Sequence, residues 1–244
     1  MSKNAIVTGA RSGIGKALVA ALAKEGINVW AIVHRDDDDY KSFTESLQHK
    51  YNVWIHMVYV DLSKEDEIKS AVKGIIQEKK SIDILINAAG AVSSNRLIQM
   101  TSITDMRYVI DVNFFAPIIL SQLISRVMCR QRDGVIINIT SASVWNVDLA
   151  QLEYIASKAA LDAATRKMAK EWGQYNVRVN AIAPGLTNTK MLDHMEESLK
   201  SMIVNSTSLK RLGEIDDVVN LCMFLIDEKS KYITGQTYRI DGGM

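Results

Sequence analysis

Three side chains have the types and spacing that proton transfer requires: Ser141, Tyr154 and Lys158. Tyr154 and Lys158 are four residues apart in a segment of helical pattern, so both project from one helix face and an ammonium group can lie beside a phenol. Ser141 follows a β-branched run, and the carboxyl ends of strands are where a doubly wound sheet places reactive groups. A Tyr–Lys pair alone is common on helix surfaces, but together with Ser141 it predicts an acid–base site.

A glycine-rich turn joins the first predicted strand to the first helix. Residues 8–15 read Thr-Gly-Ala-Arg-Ser-Gly-Ile-Gly, and glycine lets backbone approach a ligand closely at positive φ. The free N–H groups at the start of the next helix suit a pyrophosphate. The competing interpretation is a nucleoside-triphosphate loop ending at Lys16, but its first glycine would fall on Ala10 and its magnesium-binding hydroxyl on Ala17. The turn therefore predicts a dinucleotide site, although GxxxGxG alone is a weak pattern.

The end of the second predicted strand should distinguish the two nicotinamide dinucleotides. An acidic residue there would bind the ribose 2′-hydroxyl of NAD, whereas this chain has Val33-His34-Arg35. His34, Arg35 or Arg11 could pair with a 2′-phosphate, so the charges favour NADP, with NAD as the alternative. The competing interpretation is that these residues only begin a polar loop, and Asp36 is the residue that could reverse the preference.

Motifs along the whole chain resemble those of the short-chain dehydrogenase/reductase family, in the group that includes bacterial 3-oxoacyl-[acyl-carrier-protein] reductases. The matching or similar segments are TGxxxGxG at 8–15, the adenine-contacting acid at Asp61, NNAG at 87–90, PGxxxT at 184–189 and the carboxyl-terminal signature at 209–213, 233–236 and 241–243. The resemblance implies a single domain, 1–244, with a Rossmann-like, doubly wound α/β fold. Its seven parallel strands would have the order 3-2-1-4-5-6-7.

The resemblance also implies a catalytic tetrad of Asn113, Ser141, Tyr154 and Lys158. Ser141 would donate a hydrogen bond to the substrate carbonyl, and Tyr154 would give that oxygen a proton. Lys158 would bind the nicotinamide ribose and hold Tyr154 acidic, while Asn113 would position a water for the proton relay. A free phenol titrates near ~10, so lowering its pKa by roughly two to three units takes about 3 to 4 kcal/mol of preferential phenolate stabilisation.

Two larger residue sets follow from the motifs and the resemblance together. The residues expected to bind the cofactor are Gly9, Arg11, Ser12, Gly13, Ile14, Gly15, His34, Arg35, Asp61, Leu62, Asn87, Ala88, Gly90, Tyr154, Lys158, Pro184, Gly185, Thr187 and Thr189. The residues expected to contact the substrate are Ser141, Ala142, Ser143, Trp145, Gln151, Tyr154 and Met191.

The chain departs from the 3-oxoacyl reductases mainly in the loop before Tyr154, which reads the substrate's shape. That group usually has Gly and Pro there, whereas this chain has Ser143 to Ala150, and only Gln151 keeps the pattern. Arg132 matches one basic residue for docking the acidic carrier protein, but its partner position holds Tyr175. Ala88 in NNAG and Ile215 after residues 213–214 are smaller departures, because neither position holds a reacting group.

The expected function is therefore reduction of a ketone to a secondary alcohol, or the reverse, with a 3-oxoacyl thioester as the favoured substrate and acyl carrier protein as a candidate partner. The alternative within the family is a reductase or dehydrogenase of a free ketone, a sugar or a nucleotide-sugar alcohol, for which Trp145 could be a stacking platform or simple packing. A catalytically silent dinucleotide-binding regulator is a third hypothesis. It would be expected to lose tetrad members, and this chain keeps all of them.

Hydrophobic periodicity predicts alternating strands and helices, which indicates a parallel sheet covered on both faces. Strands are predicted at 4–8, 28–33, 53–60, 83–87, 134–140, 177–182 and 236–240. Helices are predicted at 14–25, 41–50, 65–79, 103–130, 154–173, 190–204 and 214–227. The acidic run 36–39 is expected to be a solvated loop, with a cation site as the alternative.

Composition narrows the partners. A formal net charge of +1 with interspersed signs gives no field to collect polyanions, so neither nucleic acid nor an anionic membrane is expected. No uninterrupted apolar stretch reaches the ~18 residues that span a bilayer, and the amino terminus has no secretory pattern, so we expect a cytoplasmic enzyme. Histidines at 34, 49, 56 and 194 have no ligand spacing, so no metal is expected. Cys129 and Cys222 are expected to be small buried side chains rather than a disulfide.

Two further expectations concern assembly and motion. The helix 103–130 has apolar residues around more than one face, which predicts a homo-oligomer, most simply a tetramer, with helices 103–130 and 154–173 at one interface. The residues concerned are Val109, Ile110, Val112, Phe114, Phe115, Ile118, Ile119 and Leu120. Residues 186–208, with an apolar face that includes Met191, are expected to form a mobile lid, although a permanently docked helix has the same spacing.

Overall fold

A single parallel sheet organises the computed structural model, which describes residues 2–93, 97–147, 150–189 and 196–244. Its strands are β1 (Asn4–Thr8), β2 (Asn28–Val33), β3 (Ile55–Tyr59), β4 (Ile84–Asn87), β5 (Gly134–Ile139), β6 (Val177–Pro184) and β7 (Thr237–Ile240). They lie side by side in the order β3-β2-β1-β4-β5-β6-β7, and every neighbouring pair is parallel. The predicted fold class and strand order are confirmed.

Helices cover both faces of this sheet. They are α1 (Gly13–Lys24), α2 (Asp38–Tyr51), α3 (Glu65–Gln77), α4 (Ile103–Ile110), α5 (Ala116–Gln131), α6 (Leu152–Trp172), α7 (Glu197–Ser206) and α8 (Ile215–Ile226). Alternate strand residues point to opposite faces, so Val7 packs with α1, α2 and α8, whereas Ile6 packs with α3, α5 and α6. Two apolar cores therefore hold the sheet from either side, with Cys222 buried in the first.

The long helix predicted at 103–130 contains a turn of different geometry. Between α4 and α5, residues Asp111–Phe115 form a π-helical turn. A π-turn inserts one residue into the helical ladder and often marks a functional position. This one contains Asn113, whose side chain it directs into the protein, where the residue is completely buried.

The second helix begins earlier than predicted, at Asp38 rather than at 41. Asp37 is its N-cap, because the Oδ1 atom accepts a hydrogen bond from the Tyr40 N–H at 3.0 Å, and Asp38 and Asp39 lie in the first turn. Carboxylates at a helix N-terminus interact favourably with its unpaired N–H groups. The expectation of a solvated loop over 36–39 is therefore correct only for its first two residues.

One helical stretch, Ile103–Gln131, is long and apolar enough to cross a membrane by length and composition alone. Half of its most apolar window is buried inside the protein, where Ala116, Leu120 and Ile124 belong to the core beneath the sheet. We therefore interpret it as a core helix. Of the helix predicted at 190–204, residues 190–195 lie outside the described residues, and α7 forms the rest.

Candidate active site

The glycine-rich turn forms a cradle between β1 and α1. Gly9 and Gly13 have φ of +65° and +51°, which L side chains rarely adopt. A Cβ on Gly15 would lie 2.3 Å from the Gly9 carbonyl oxygen, and one on Gly9 would lie 2.8 Å from the Ala89 Cα. Ser12, the N-cap of α1, makes no side-chain capping bond, and the first turn of α1 has no acidic residue. These features fit a pyrophosphate bound by helix N–H groups, because no side chain or negative charge blocks it.

The turn predicts the effect of one added methyl group. Gly15→Ala should weaken dinucleotide binding at least tenfold, or about 1.4 kcal/mol, because the new Cβ must displace the Gly9 carbonyl. The matched control is Gly74→Ala in α3, where a Cβ meets nothing within 4 Å. This substitution should stabilise the helix by about 0.5–1 kcal/mol. Calorimetric titration and thermal unfolding measure both changes. Unchanged dinucleotide affinity in Gly15→Ala would contradict the assignment of the cradle.

Hydrogen bonds fix the ends of β1, β4 and β5 relative to one another. The Thr8 hydroxyl accepts from the Ala88 and Ala89 N–H groups, each at 3.0 Å. Deeper in the protein, the Asn87 amide donates to Asn138 Oδ1 at 2.8 Å, and the Asn138 amide donates to Thr165 Oγ1 at 2.8 Å. This buried chain joins β4, β5 and α6, so the helix that contains Tyr154 is positioned from within the sheet.

Ser141 and Tyr154 meet at the carboxyl end of β5. The Ser141 side chain is hydrogen-bonded to the Tyr154 phenol, and the Ser143 hydroxyl lies 2.9 Å from the Ser141 hydroxyl. Burial raises the pKa of the Tyr154 phenol, and the hydrogen bond from Ser141 opposes that rise. The structure therefore brings these two predicted residues together, but the protein alone does not lower the pKa of Tyr154 as expected, because desolvation disfavours the phenolate.

Lys158 lies behind Tyr154 in the interior. Its Nζ donates to the Ile139 carbonyl at 2.8 Å and lies 5.8 Å from the centroid of the Tyr154 ring. The residue is only 3% exposed, and burial lowers its pKa from 10.5 to about 8. Lys158 thus remains mostly protonated at neutral pH. Because the buried ammonium group is poorly solvated, a hydroxyl group or an anion beside it would bind favourably.

Asn113 uses its side chain to hold the loop after β4. Its Oδ1 accepts from the Ala91 N–H at 2.7 Å, and its amide donates to the Ala91 carbonyl at 2.9 Å and to Ser157 Oγ at 3.1 Å. Both amide N–H groups are therefore occupied. A contact with water, which the family resemblance implies, has to use the second lone pair of Oδ1 or the backbone carbonyl in the π-turn. Gly90 lies in the same loop, directly before Ala91, and a Cβ there would lie 3.7 Å from Lys158 Nζ.

The residues expected around the adenosine ribose lie at the ends of β1 and β2. Arg11 Nη1 contacts Asp37 Oδ2 at 2.7 Å, and this guanidinium lowers the pKa of the Asp37 carboxyl. His34 and Arg35 are exposed. The carboxylate of Asp36, which could have reversed the cofactor preference, instead accepts from Lys41 at 2.5 Å and from the Tyr59 hydroxyl at 2.8 Å.

Asp61 and Leu62, the residues expected on the adenine side, follow β3. The Asp61 carboxylate accepts from the Ser63 hydroxyl at 2.7 Å and from its N–H at 3.0 Å, and these bonds, the hydroxyl first, lower the pKa of Asp61. Leu62 is partly buried against the core that contains α3.

The segment after β6 returns to the cradle. Thr187 forms an isolated parallel bridge with Gly213, and a Cβ on Gly13 would lie 3.9 Å from the Thr189 methyl group. A Cβ on Gly185 would lie 2.7 Å from the Asp241 Cα. The structure therefore brings the PGxxxT segment, from Pro184 onward, to the glycine turn, as the resemblance implied.

The substrate loop is only partly described. Ala142 is buried and Ser143 lies beside Ser141, while Gln151 is the N-cap residue of α6. Trp145 is 45% exposed, and the Arg239 guanidinium lies 5.6 Å from its ring centroid. Residues 148–149 and Met191 lie outside the described residues.

Sequence reasoning missed several residues around this site. Arg239 donates to Asp241 Oδ2 at 2.7 Å, and because its guanidinium also lies over the Trp145 ring, the carboxyl-terminal segment approaches Trp145. Buried Glu153, directly before Tyr154, accepts a hydrogen bond from the Ser93 hydroxyl. The Asp241-Gly242-Gly243 signature was a signal for the first contact, but no sequence pattern indicated the second. Among the described residues, no cluster could hold a metal ion.

Comparison with known proteins decides the family. A family model described as enoyl-(acyl carrier protein) reductase matches residues 9–244. The 3-oxoacyl-[acyl-carrier-protein] reductase of Staphylococcus epidermidis is 35% identical over 100% of this chain and 99% of that protein. The chain belongs to the short-chain dehydrogenase/reductase family. As a short-chain dehydrogenase/reductase it is an oxidoreductase of CH–OH and C=O groups.

Solved structures show that similar short-chain dehydrogenases/reductases act on different substrates. A 4-hydroxyisoleucine dehydrogenase complexed with NADH is 33% identical, with a TM-score of 0.91 and coverage of 99% of this chain and 98% of that one. The L-sorbose reductase of Gluconobacter frateurii, complexed with NADPH and L-sorbose, is 27% identical, with a TM-score of 0.90 and coverage of 100% and 96%. The shared fold therefore leaves cofactor preference and substrate to be argued from this chain's residues.

Proposed function

We propose that this chain is an NADPH-dependent reductase of 3-oxoacyl thioesters. The observation that supports it most is the Ser141–Tyr154 hydrogen bond beside buried Lys158. It lies at the carboxyl end of the sheet, where the Gly9–Gly15 cradle also lies. A proton donor, a carbonyl-binding hydroxyl and a dinucleotide cradle are the parts that carbonyl reduction needs. The 35% identity to a 3-oxoacyl reductase over the full chain supports the thioester substrate.

The catalytic roles follow from the geometry. When bound, the nicotinamide supplies the hydride. Ser141, as a hydroxyl donor beside the phenol, orients the substrate carbonyl, and Tyr154 transfers its proton to the carbonyl oxygen. Lys158 stabilises the resulting phenolate and binds the nicotinamide ribose with the N–H groups that Ile139 does not use. Asn113 fixes the loop at Ala91 and serves the proton relay.

The cofactor would be held along the ends of the central strands. Gly9, Gly13 and Gly15 would accommodate the pyrophosphate, and Asp61 would contact the adenine. Arg11 and Arg35 favour the 2′-phosphate of NADPH, because Asp36 is already neutralised by Lys41. The likeness to a reductase complexed with NADPH supports this choice, and the NADH complex of a similar dehydrogenase makes NAD the alternative.

A second candidate function is reduction of a free ketone or sugar. Half-exposed Trp145 beside Arg239 offers an aromatic face of the kind on which a sugar ring can stack, and L-sorbose reductase has the same fold. We place this second because Trp145 is equally consistent with packing against the carboxyl-terminal segment.

The two functions are separated by a substrate panel. Oxidation of NADPH should be followed at 340 nm with acetoacetyl-coenzyme A, longer 3-oxoacyl thioesters, their acyl-carrier-protein forms, diketones and keto-sugars. The proposal expects kcat/KM for a 3-oxoacyl thioester to exceed that for every keto-sugar by at least about a hundredfold. A keto-sugar that reacts faster would reverse the order of the two candidates. Absence of turnover with every carbonyl compound would contradict the reductase function.

The carrier protein itself remains a proposal. Arg132 is exposed at the end of α5, with φ of +55°, and is suited to one contact with an acidic surface, whereas Tyr175 supplies no second cation. We therefore expect kcat/KM for the acyl-carrier-protein substrate to be at most modestly higher than for the coenzyme A thioester. A cytoplasmic location is consistent with such a substrate.

We also propose a homo-oligomer, and exposed apolar residues on α4 and in the π-turn support it. Of the eight apolar residues singled out, Val109, Val112 and Leu120 are buried in this chain's own core, whereas Phe115 is half exposed. Ile103 and Tyr108 add further exposed apolar surface on α4, and exposed apolar patches often mark protein–protein contacts. Light scattering at micromolar concentration should give a mass of about four chains. A monomer would contradict the proposal.

The lid proposal concerns the segment 186–208. Its two ends are anchored, because Leu186 and Asn188 are hydrogen-bonded to Gly213 and the Leu209 N–H donates to the Gly242 carbonyl at 3.0 Å. Residues 190–195 of the proposed lid lie outside the described residues, so the part to follow is α7, Glu197–Ser206. We expect hydrogen exchange there to slow when NADPH binds. Equal protection with and without NADPH would leave only a docked helix.

A further inference from the structure

The Arg11–Asp37 ion pair lies between the two strands that should receive the adenosine ribose. Arg11 belongs to the turn after β1 and Asp37 follows β2, and their side chains, which are 32% and 26% exposed, meet at 2.7 Å. An acid near the end of the second strand is the feature by which dinucleotide folds read the ribose 2′ position, and a nearby arginine is what accommodates a 2′-phosphate. This chain has both groups, bonded to each other.

Asp37 differs from its neighbour Asp36 in what its charge does. Asp36 is paired with Lys41 and accepts a hydrogen bond from the Tyr59 hydroxyl. Asp37 instead uses one carboxylate oxygen to cap α2 through the Tyr40 N–H and the other to hold Arg11. Arg35 also acts on Asp37 electrostatically, in the direction that favours its charge. The cations available for a 2′-phosphate therefore surround a carboxylate that is already present.

We propose that Asp37 competes with the 2′-phosphate of NADPH for Arg11 and thereby limits the preference for NADPH over NADH. This inference rests on the proposed function. A dianionic phosphate that takes Arg11 must break this ion pair, and the cost of breaking it falls as salt screens the two charges. NADH has no 2′-phosphate and leaves the pair intact.

The test is Asp37→Asn, because asparagine is as good an N-cap as aspartate and should keep the bond to Tyr40. Isothermal titration calorimetry should show that the variant binds NADPH about tenfold more tightly than wild type at low salt. This gain in affinity should be smaller at high salt, and the affinity for NADH should stay within twofold of wild type. Asp37→Ser, which also caps helices, should behave alike if the first variant folds poorly. Thermal unfolding confirms that α2 is intact.

Two controls make the result specific. Asp36→Asn removes the same charge one residue away without releasing Arg11, so it should tighten NADPH binding by no more than about threefold. In an Arg11→Ala background, Asp37→Asn should have less than twofold effect, because the competed group is gone.

Each outcome decides between the inference and its alternatives. NADPH affinity unchanged in Asp37→Asn, or increased equally in Asp36→Asn or in the Arg11→Ala background, would overturn the competition and leave at most a general charge effect. Wild-type protein that binds neither NADPH nor NADH would instead contradict the proposed function. Tighter NADPH binding only where Arg11 is present would support the inference.

Discussion

Tyr154→Phe should lower kcat by about 10²- to 10⁴-fold, the range that a positioned general acid contributes, and leave NADPH affinity within a few-fold of wild type. The ring still fills its space, but Ser141 loses its hydrogen-bond partner and the carbonyl oxygen loses its proton donor. Steady-state kinetics and calorimetric titration measure the two quantities separately.

The matched control is Tyr232→Phe, at a fully exposed tyrosine. It removes the same hydroxyl group and should change neither quantity. Turnover of Tyr154→Phe within tenfold of wild type would show that the proton comes from elsewhere.

Lys158→Met should abolish measurable turnover and weaken NADPH binding, yet stabilise the fold. The lysine is buried with its pKa lowered from 10.5 to about 8, so at pH 7 the protein bears the cost of a desolvated ammonium group. That cost corresponds to about 3 kcal/mol, and loss of the bond to the Ile139 carbonyl reduces the net gain in Lys158→Met. The prediction is a higher free energy of unfolding at pH 7 with activity lost, as expected where function and stability conflict.

The sign of the pH dependence follows from the same pKa. Below about pH 8 the lysine is protonated in both the folded and unfolded states, so the full cost is present. Between about 8 and 10.5 the unfolded state binds more protons, so the stability of the wild type rises with pH. The advantage of Lys158→Met should therefore shrink as pH increases through this range.

Denaturant unfolding at pH 7 and pH 10 measures the advantage of Lys158→Met, with Lys167→Met as the control. Lys167 is on the same helix, α6, but exposed in an ion pair with Glu171, which is worth little. Lys167→Met should change the unfolding free energy by less than about 0.5 kcal/mol at either pH. A Lys158→Met protein less stable than wild type at pH 7 would contradict the cost assigned to the buried charge.

Short-range patterns allowed much of the fold to be predicted. The strand–turn–helix at Gly9–Gly15 and the helical pair Tyr154 and Lys158 depend on residues close in sequence, whose spacing fixes their geometry. The strand order came from the family resemblance and is confirmed. The π-turn around Asn113 could not be predicted, because its side-chain bonds to Ala91 and Ser157 come from distant segments.

Charge pairing was the least predictable feature of the site. The sequence shows that Asp36 and Asp37 follow a strand, but not that the first turns to Lys41 and the second to Arg11. Those partners depend on where α2 begins and on the packing of β3. The pKa of Tyr154 also went against expectation, because in the protein alone burial of the phenol outweighs the hydrogen bond from Ser141.

Transfer of deuterium from cofactor to product tests the central claim most directly. NADPH labelled with deuterium at either face of nicotinamide C4 is incubated with a 3-oxoacyl thioester, and the alcohol product is analysed by mass spectrometry. The proposed reductase should place one deuterium on the new carbinol carbon from one labelled face only, and Tyr154→Phe should slow this transfer by about 10²- to 10⁴-fold. Alcohol without deuterium from either labelled cofactor, or no alcohol from any carbonyl substrate that the wild-type protein binds, would contradict it.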